Sequence, residues 1–302
     1  MKYQQIVEAV NKIIAEYSVK LTVRQIYYRL VSPPFQIIPN TQTAYKGFDK
    51  ILTRAREKED VDWQRIEDRA RRTIGGEGSC FEDPFEYVDW LSNENSSKYY
   101  SKYFWEDQPQ YIEVWVEKDA LASIFDQACE DYRVVIFPSR GYSSFTKVME
   151  ACQRFPGDKT IKILHFTDHD PSGLDMTADI EKRFEEYYGE VEIERVALTI
   201  EQVKMLDLPP NPTKSADART PKYEAQYGSG CWELDSVPPN TLSQWIKEAV
   251  ENEIDDELWD ETEAQIDHDR SMLNEALKSA KTSFGKAFEE MKAKMREIEG
   301  EP

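Results

Sequence analysis

Three carboxylates follow two of the strand-like runs in this chain. Glu117 comes directly after residues 111–116, and Asp168 and Asp170 follow within four residues of the end of the run 161–166. Parallel α/β sheets carry their working residues at the carboxyl ends of strands, so neighbouring strands would bring the three carboxylates together. Carboxylates brought that close together repel one another unless a cation lies between them. Hard oxygen donors with no Cys or His in the set favour Mg²⁺, with Mn²⁺ as a substitute.

A simpler interpretation of the same residues stays open. Asp170 precedes Pro171 and is a good N-cap for a helix that begins there. Glu117 could likewise be a favourable acid near a helix amino terminus. We assign neither neighbouring histidine to the metal. His165 lies within an apolar strand and is expected to be packed, and His169 should point away from the aspartates by strand alternation.

Strand-like and helical segments alternate from residue 110 to residue 198, which predicts an α/β fold with a doubly wound parallel sheet. Residues 209–239 are rich in Pro and Gly and are expected to loop back over this domain. Residues 241–298 read as charged helices. Residues 251–302 hold 16 acidic and 7 basic side chains, which is typical of a solvated helical face. A dimer arm, or a cover that repels DNA, is the alternative.

The amino-terminal region has a different pattern, with three short amphipathic helices. They are expected over residues 3–17, from an N-cap at Thr22 to Ser32, and over residues 42–58. Such a trio followed by a short basic segment suggests a helix-turn-helix or winged-helix module. The predicted organisation is a winged-helix-like domain (1–75), a linker with one helix (76–109), the sheet domain (110–240) and a helical extension (241–302).

Charge is distributed unevenly along the chain. The formal net charge is −20, yet residues 1–72 hold 14 basic and 9 acidic side chains. This local excess of +5 suggests a DNA-facing surface on an otherwise acidic protein. The predicted DNA contacts are Arg24, Lys46, Arg54, Arg56, Arg69, Arg71, Arg72 and Lys118.

No apolar run approaches the ~20 residues that cross a bilayer, and the first 20 residues do not read as a signal peptide. The four cysteines, Cys80, Cys129, Cys152 and Cys231, are scattered without a CxxC pair. Reduced thiols in a cytoplasmic protein without a membrane partner are the expectation.

Taken in order, residues 116–120, 140–144 and 168–173 match three signatures of the TOPRIM domain. They most closely resemble the version in topoisomerase VI A subunits and the meiotic double-strand-break transesterase. This resemblance implies that Asp168 and Asp170 hold Mg²⁺. It also implies that Glu117 ligates the metal or acts as general acid/base at the ribose hydroxyl.

Residues 22–29 resemble the winged-helix motif of the same family, in which the second tyrosine of an aromatic pair is the nucleophile. The resemblance places this role on Tyr28, with Arg24 one turn earlier stabilising the attacked phosphate. Tyr27 remains a competitor, since adjacent helical side chains point ~100° apart. In the family, tyrosine and metal site come from different protomers, which implies a homodimer on double-stranded DNA.

Further short motifs over residues 1–250 look like the small standalone Mini-A proteins. The chain has no nucleotide-binding motif, so strand passage would require a separate ATPase partner. Three functions therefore stay open. They are a type IIB topoisomerase-like transesterase, a TOPRIM nuclease that activates water at the same metal site, and a non-enzymatic DNA-binding protein.

Overall fold

The computed structural model describes residues 2–67, 84–91, 97–139, 141, 144–213 and 216–299. The helices in these residues are α1 (Tyr3–Ala15), α2 (Val23–Val31), α3 (Gln42–Glu57), α4 (Pro84–Leu91), α5 (Ala122–Cys129), α6 (Phe145–Arg154), α7 (Pro171–Tyr187), α8 (Ile200–Met205), α9 (Thr220–Tyr227), α10 (Pro239–Glu251) and α11 (Asp256–Glu299). The strands are β1 (Leu21–Thr22), β2 (Ile66–Glu67), β3 (Gln110–Val116), β4 (Val135–Pro138), β5 (Thr160–Phe166), β6 (Glu192–Ala197), β7 (Asn211–Pro212) and β8 (Gly230–Cys231).

The chain divides into two compact units. The first unit comprises Met1–Arg72 and Pro109–Ile254, and the second comprises Thr73–Gln108 and Asp255–Pro302. Helices α1 to α3 and the four-stranded sheet therefore belong to the same unit.

A parallel sheet in the order β4-β3-β5-β6 forms the centre of the first unit. In the β3–β5 pair the register runs from Gln110 opposite Thr160 to Val116 opposite Phe166. The predicted α/β class and the predicted parallel strands are confirmed. Because the strand order changes direction between β3 and β5, the carboxyl ends of these two strands border the crevice where such sheets bind ligands.

Strand β3 is buried along almost its whole length, as expected for a central strand covered on both faces. Its one charged residue, Glu113, is fully buried and accepts four hydrogen bonds. Two come from the Tyr111 hydroxyl at 3.0 Å and the Trp115 indole at 2.8 Å. The other two come from the Arg154 guanidinium, at 3.0 and 2.9 Å. This paired arrangement lets a carboxylate lie inside an apolar sheet.

The amino-terminal helices form as their sequence predicts. Thr22 caps α2 through a capping box with Gln25, and the helix ends before Ser32. A hydrophobic cluster that includes Ile13, Ile26 and Phe48 joins the three helices.

The short strands β1 and β2 pair in parallel beside these helices. In the described residues up to Glu67 there is no antiparallel hairpin of the winged-helix type. The remainder of the predicted module, residues 68–75, lies outside the described residues.

The Pro- and Gly-rich stretch that was expected to loop back over the sheet domain contains residues 209–238, called the return segment here. The segment contains α9 and an antiparallel β7–β8 pair, which the irregular composition did not indicate. Trp232 bridges to His169, beyond the end of β5. The segment also reaches α2, where Arg29 Nη2 donates to the carbonyl of Ser236 at 2.5 Å.

The second unit contains α4 and the 44-residue helix α11, and the predicted helical carboxyl terminus is confirmed. Trp259 stacks on Phe104 at 4.3 Å between ring centroids, and Tyr100 donates to Asp269 at 2.7 Å. No helix within the described residues combines the length and the apolar character needed to cross a membrane.

Candidate active site

Glu117 and Asp168 lie side by side because their strands are neighbours. The backbone N–H of Glu117 donates to the carbonyl of Phe166 at 2.9 Å, which extends the β3–β5 pairing by one residue. The backbone N–H of Asp168 then donates to Oε2 of Glu117 at 3.0 Å. Burial raises the pKa of both carboxyl groups, and the charge of Glu117 adds to the effect on Asp168.

Asp170 is the N-cap of α7. Its Oδ1 accepts hydrogen bonds from the backbone N–H of Gly173 at 2.7 Å and from the Ser172 hydroxyl at 2.9 Å, and Pro171 takes the first helical position. The capping interpretation of this aspartate is therefore correct. It engages Oδ1 alone, since Oδ2 has no hydrogen-bond partner among the described residues, so a ligand role is compatible with the cap.

Gly173 sets how closely α7 begins to the end of β5. A Cβ at this position would lie 2.2 Å from the carbonyl oxygen of Asp168 and 3.1 Å from its carbonyl carbon. No side chain fits that gap, so a glycine here is required for the observed approach of the helix to Asp168.

The Lys118 ammonium lies among three carboxylates. Its Nζ is 2.9 Å from Oδ2 of Asp168, 2.7 Å from Oδ2 of Asp235 and 3.2 Å from Oε2 of Glu233. Burial opposes the charge on Lys118, but the carboxylates raise the pKa of its ammonium well above the usual value. Sequence reasoning gave Lys118 a DNA contact, and that role would require the ammonium to leave these partners.

The carboxylate oxygens at this edge of the sheet are of the type that a hard divalent cation prefers. One of these carboxylates, that of Asp168, is already paired with Lys118. Glu117 Oε1 and Asp170 Oδ2 have no hydrogen-bond partner in the described parts of the chain. Asp168 uses both oxygens, accepting from the Leu234 N–H at 2.8 Å and pairing with Lys118. Among the residues that the structure describes, no group of three acidic, His or Cys side chains is arranged to hold a metal. Binding of Mg²⁺ by all three predicted ligands would bring the metal ion close to the Lys118 ammonium, and the two cations would compete for Asp168.

The Tyr28 side chain is buried, at 1% exposure, where α2 meets the return segment. Its hydroxyl accepts a hydrogen bond from Nδ2 of Asn211 at 2.9 Å. Burial and the nearby Glu233 carboxylate raise the pKa of Tyr28 to about 12, although Asn211 and Arg24 act in the opposite direction. The phenol is therefore protonated at neutral pH in this arrangement.

Arg24 connects the tyrosine to the carboxylate cluster. Its guanidinium lies 5.9 Å from the Tyr28 ring centroid and 5.7 Å from that of Tyr45, and it forms a close ion pair with Glu233. Burial opposes the charge on Arg24, but Glu233 and Tyr28 raise the pKa of the guanidinium. Since Glu233 also pairs with Lys118, an unbroken series of contacts runs from Tyr28 to Asp168 within one unit.

Tyr27, the competing tyrosine, points into the helical cluster. Its hydroxyl donates toward the carbonyls of Pro39 and Thr41, at 3.0 and 3.1 Å, and accepts from the Thr41 N–H at 3.0 Å. These backbone contacts tie the loop before α3 to α2. Among the described residues, the Tyr28 hydroxyl forms a hydrogen bond with the return segment and the Tyr27 hydroxyl forms none with it.

Arg195 is a residue of this site to which sequence reasoning assigned no role. It pairs with His165, and the next pairing, of Phe166 with Ala197, leaves Val196 as the extra residue of a β-bulge. Bulges redirect side chains beside active sites. Here Arg195 Nη2 donates to the carbonyl of Asp168 at 2.7 Å, and its buried Nε has no partner among the described residues.

Glu233, Asp235 and Asn211 were also missed as site residues, although the sequence contains a signal for two of them. The signal is a pair of acidic residues two positions apart. Glu233 precedes the 3-10 turn Leu234–Ser236 and Asp235 lies within it, and both carboxylates reach Lys118. Asp235 is 2% exposed, and its Oδ1 is buried without a hydrogen-bond partner in the described residues.

Lys46, Lys50 and Arg54 form an exposed basic stripe along α3, because residues four apart share a helix face. Lys50 belongs to this stripe although the sequence prediction omitted it. Arg56 is partly buried, and its guanidinium lies 3.4 Å from the Thr53 hydroxyl. Three further predicted contacts lie outside the described residues: Arg69, Arg71 and Arg72.

Both strand-end histidines are packed. His165 Nδ1 is 3.1 Å from the Thr177 hydroxyl, and His169 Nδ1 is 2.8 Å from the Tyr223 hydroxyl. Burial lowers the pKa of His165 to about 3 and that of His169 to about 4. In the predicted signature loop, Gly141 has a φ of +90°, which favours glycine. Arg140, Tyr142 and Ser143 of that loop lie outside the described residues.

No protein-family model matches this chain, and no curated protein sequence matches it either. The site must therefore be interpreted from its own chemistry. A buried tyrosine, an arginine–carboxylate–lysine series and acidic strand ends lie together in one unit.

Proposed function

We propose that this chain cleaves double-stranded DNA by tyrosine transesterification, in the manner of type IIB topoisomerase A subunits. In this proposal a TOPRIM domain and a winged-helix-like module make up the first unit. Tyr28 is the nucleophile, and Glu117, Asp168 and Asp170 hold Mg²⁺ or Mn²⁺. The protein acts as a homodimer in the cytoplasm, and strand passage requires a separate ATPase polypeptide.

The observation that carries this proposal is the series of contacts from Tyr28 through Arg24, Glu233 and Lys118 to Asp168. A transesterase must apply a nucleophile and charge-stabilising groups to the same phosphate. Here contacts join both sets of groups within one unit, although 140 residues separate Tyr28 from Asp168 in the sequence.

In the proposed reaction the Tyr28 oxygen forms a bond to phosphorus while the bond from phosphorus to the ribose 3′ oxygen breaks. The product is a 5′-phosphotyrosyl end and a free 3′ hydroxyl, so the bond energy is kept for religation. The phenol must lose its proton and the 3′ oxygen must gain one, and Glu117 is the proposed proton carrier at the ribose. Arg24 stabilises charge on the non-bridging oxygens. A bound Mg²⁺ would add to that stabilisation.

The described arrangement corresponds, in this proposal, to the state before DNA binds. Tyr28 is buried and protonated, and Lys118 supplies the positive charge beside Asp168. Engagement of DNA would exchange the Arg24–Glu233 and Lys118–Asp168 ion pairs for contacts with phosphate and metal.

Burial of Tyr28 also favours a second candidate, a metal-dependent nuclease. A phenol with a pKa of about 12 and 1% exposure is a poor nucleophile as it stands. In that alternative Glu117, Asp168 and Asp170 activate water, and Tyr28 only packs α2 against the return segment.

The test is cleavage of supercoiled plasmid with Mg²⁺ or Mn²⁺, stopped with detergent and divided for treatment with and without protease. We expect nicked and linear DNA that carries protein on its 5′ ends. Tyr28→Phe should remove the adducts, and Asp168→Asn should remove cleavage altogether. Metal-dependent breaks with free ends that survive Tyr28→Phe would establish the nuclease instead.

Two matched variants control for structural damage. Tyr27→Phe removes the hydroxyl of the adjacent ring, and Tyr45→Phe removes that of the other ring beside Arg24. Both should keep adduct formation within a few-fold of the unmodified protein. Loss of adducts in Tyr27→Phe alone would transfer the nucleophilic role to Tyr27.

Removal of the Lys118 charge is expected to tighten metal binding. In Lys118→Met the ammonium 2.9 Å from Asp168 is absent, so Mn²⁺ no longer competes with it. We expect the affinity for Mn²⁺, measured by calorimetry without DNA, to rise by about tenfold, which corresponds to ~1.4 kcal/mol.

Lys12→Met controls for net charge, because Lys12 is exposed on α1. The double variant Lys118→Met/Asp168→Asn should lose the gain, since the new affinity depends on Asp168. An unchanged or weaker affinity in Lys118→Met would contradict a metal site at Asp168.

A further inference from the structure

Asn211 donates a hydrogen bond to the Tyr28 hydroxyl, beside the charged Arg24 guanidinium that also contacts this phenol. The asparagine belongs to β7 in the return segment, and its Nδ2 lies 2.9 Å from the phenol oxygen. Its backbone position is held by the pairing of β7 with β8, where Asn211 faces Cys231. The contact therefore joins a residue of a paired strand to a residue of a capped helix, and neither partner lies on a free loop.

A second asparagine determines which end of the Asn211 amide meets Tyr28. Asn40 Nδ2 donates to the carbonyl of Pro210 at 2.9 Å and to Oδ1 of Asn211 at 3.1 Å. Because Oδ1 of Asn211 accepts from Asn40, the Asn211 nitrogen must face the phenol. Asn211 is thus a donor to the Tyr28 oxygen.

We propose that Asn211 is a catalytic residue of the cleavage reaction, donating a hydrogen bond that orients the Tyr28 oxygen and stabilises negative charge on it. This inference rests on the proposed function, since it assigns a role at the same nucleophile. Asn40 is the corresponding positioning residue, because it acts on Tyr28 only through the Asn211 amide.

The surroundings of Tyr28 explain why such a donor matters. The charged groups near the phenol are Arg24 and Glu233, and the Tyr27 ring packs against it at 5.6 Å between centroids. Burial and Glu233 both disfavour the phenolate. Arg24 favours it, but its guanidinium is shared with Glu233. A neutral donor such as Asn211 stabilises the charged oxygen without being neutralised by the carboxylate.

The same hydrogen bond acts in both directions of the reaction. In cleavage the phenol gives its proton to water, its oxygen bonds to phosphorus and the bond from phosphorus to the 3′ oxygen breaks, so Asn211 favours the reactive form. In religation the 3′ hydroxyl gives its proton to Glu117 and attacks phosphorus, the bond between phosphorus and the tyrosine oxygen breaks, and the departing oxygen carries negative charge. A preorganised donor aimed at that oxygen lowers the barrier in each direction.

The first arm of the test measures the phenol itself, without DNA. A fluorinated tyrosine at position 28 ionises at a lower pH than tyrosine, and its ¹⁹F signal reports the pKa of that phenol. We expect Asn211→Ala to raise this pKa by about one unit, and the nearly isosteric Asn211→Asp to raise it further. Asn211→Asp keeps an acceptor for Asn40, so it changes the donor with little change in shape.

The second arm measures covalent adducts on plasmid DNA with natural tyrosine at position 28. We expect adduct formation to fall by about 10²-fold in Asn211→Ala and Asn211→Asp. Asn40→Ala should cause a smaller loss and a smaller pKa rise. Asn252→Asp is the matched control, since Asn252 is an exposed C-cap residue of α10, and it should change neither quantity.

The outcomes separate this inference from the proposed function. A raised pKa together with lost adducts supports the role of Asn211. An unchanged pKa in both Asn211 variants, or a raised pKa with adducts at the unmodified level, overturns it. If the unmodified protein forms no adducts, the proposed function fails and the catalytic role of Asn211 fails with it, whatever the ¹⁹F arm shows about the contact.

Discussion

Arg154→Met is expected to destabilise the first unit by about 3–5 kcal/mol, because it leaves a fully buried carboxylate without its counter-ion. Glu113 accepts two hydrogen bonds from Arg154 in the centre of the sheet, and its remaining donors, Tyr111 and Trp115, are neutral. Urea denaturation followed by tryptophan fluorescence measures the effect, since Trp115 lies beside Glu113.

A second substitution tests the physical reason. In Glu113→Gln/Arg154→Met the buried group is neutral. Its amide oxygen can accept from the Trp115 indole and its amide nitrogen can donate to the Tyr111 hydroxyl, so most of the lost stability should return. Lys147→Met, on the same helix as Arg154, breaks an exposed pair with Glu150 and should cost less than about 1 kcal/mol. An Arg154→Met variant no less stable than Lys147→Met would show that the Glu113 pair contributes little.

Much of the first unit could be predicted from local sequence because its signals are local. Alternating strand-like and helical runs identified the parallel sheet, and Thr22 and Asp170 mark helix starts through contacts three residues away. The prediction that Glu117 lies beside Asp168 needed one further assumption, that their strands are neighbours. The parallel pairing of β3 with β5 shows that this assumption is correct.

The contents of the site could not be predicted in the same way. The sequence argument held that converging carboxylates require a cation, and in the structure Lys118 supplies that charge. The local sequence cannot show that Lys118 is the cation beside these carboxylates. Two of the partners that hold its ammonium there, Glu233 and Asp235, are more than 110 residues away in the chain. The Asn211–Tyr28 contact spans 183 residues and has no periodic signature.

The expectation of separate tyrosine and sheet domains also depends on contacts between residues that are far apart in the sequence. The composition changes near residue 75 and again near residue 110, which suggests a boundary, yet α2 and the return segment lie in one compact unit. Arg29, Arg24 and Tyr28 all contact residues of the return segment. These long-range contacts depend on side-chain complementarity, for which composition carries no information.

Gly173→Ala is expected to disrupt the carboxylate site even though alanine is the better helix former by about 1 kcal/mol. The new Cβ would lie 2.2 Å from the carbonyl oxygen of Asp168, so either α7 or the end of β5 must move. We expect a loss of stability of about 1–3 kcal/mol. We also expect at least a ~10²-fold loss of metal-dependent cleavage, because small displacements of catalytic groups are costly.

Gly157→Ala is the matched control, since a Cβ at Gly157 meets nothing within 4 Å. That variant should keep full activity and gain up to about 1 kcal/mol through the unfolded state. Urea denaturation and the plasmid assay, run on both variants, separate the effects on folding and on chemistry. If Gly173→Ala loses stability but keeps cleavage, the close approach of α7 to the Asp168 carbonyl does not position the carboxylates for the reaction.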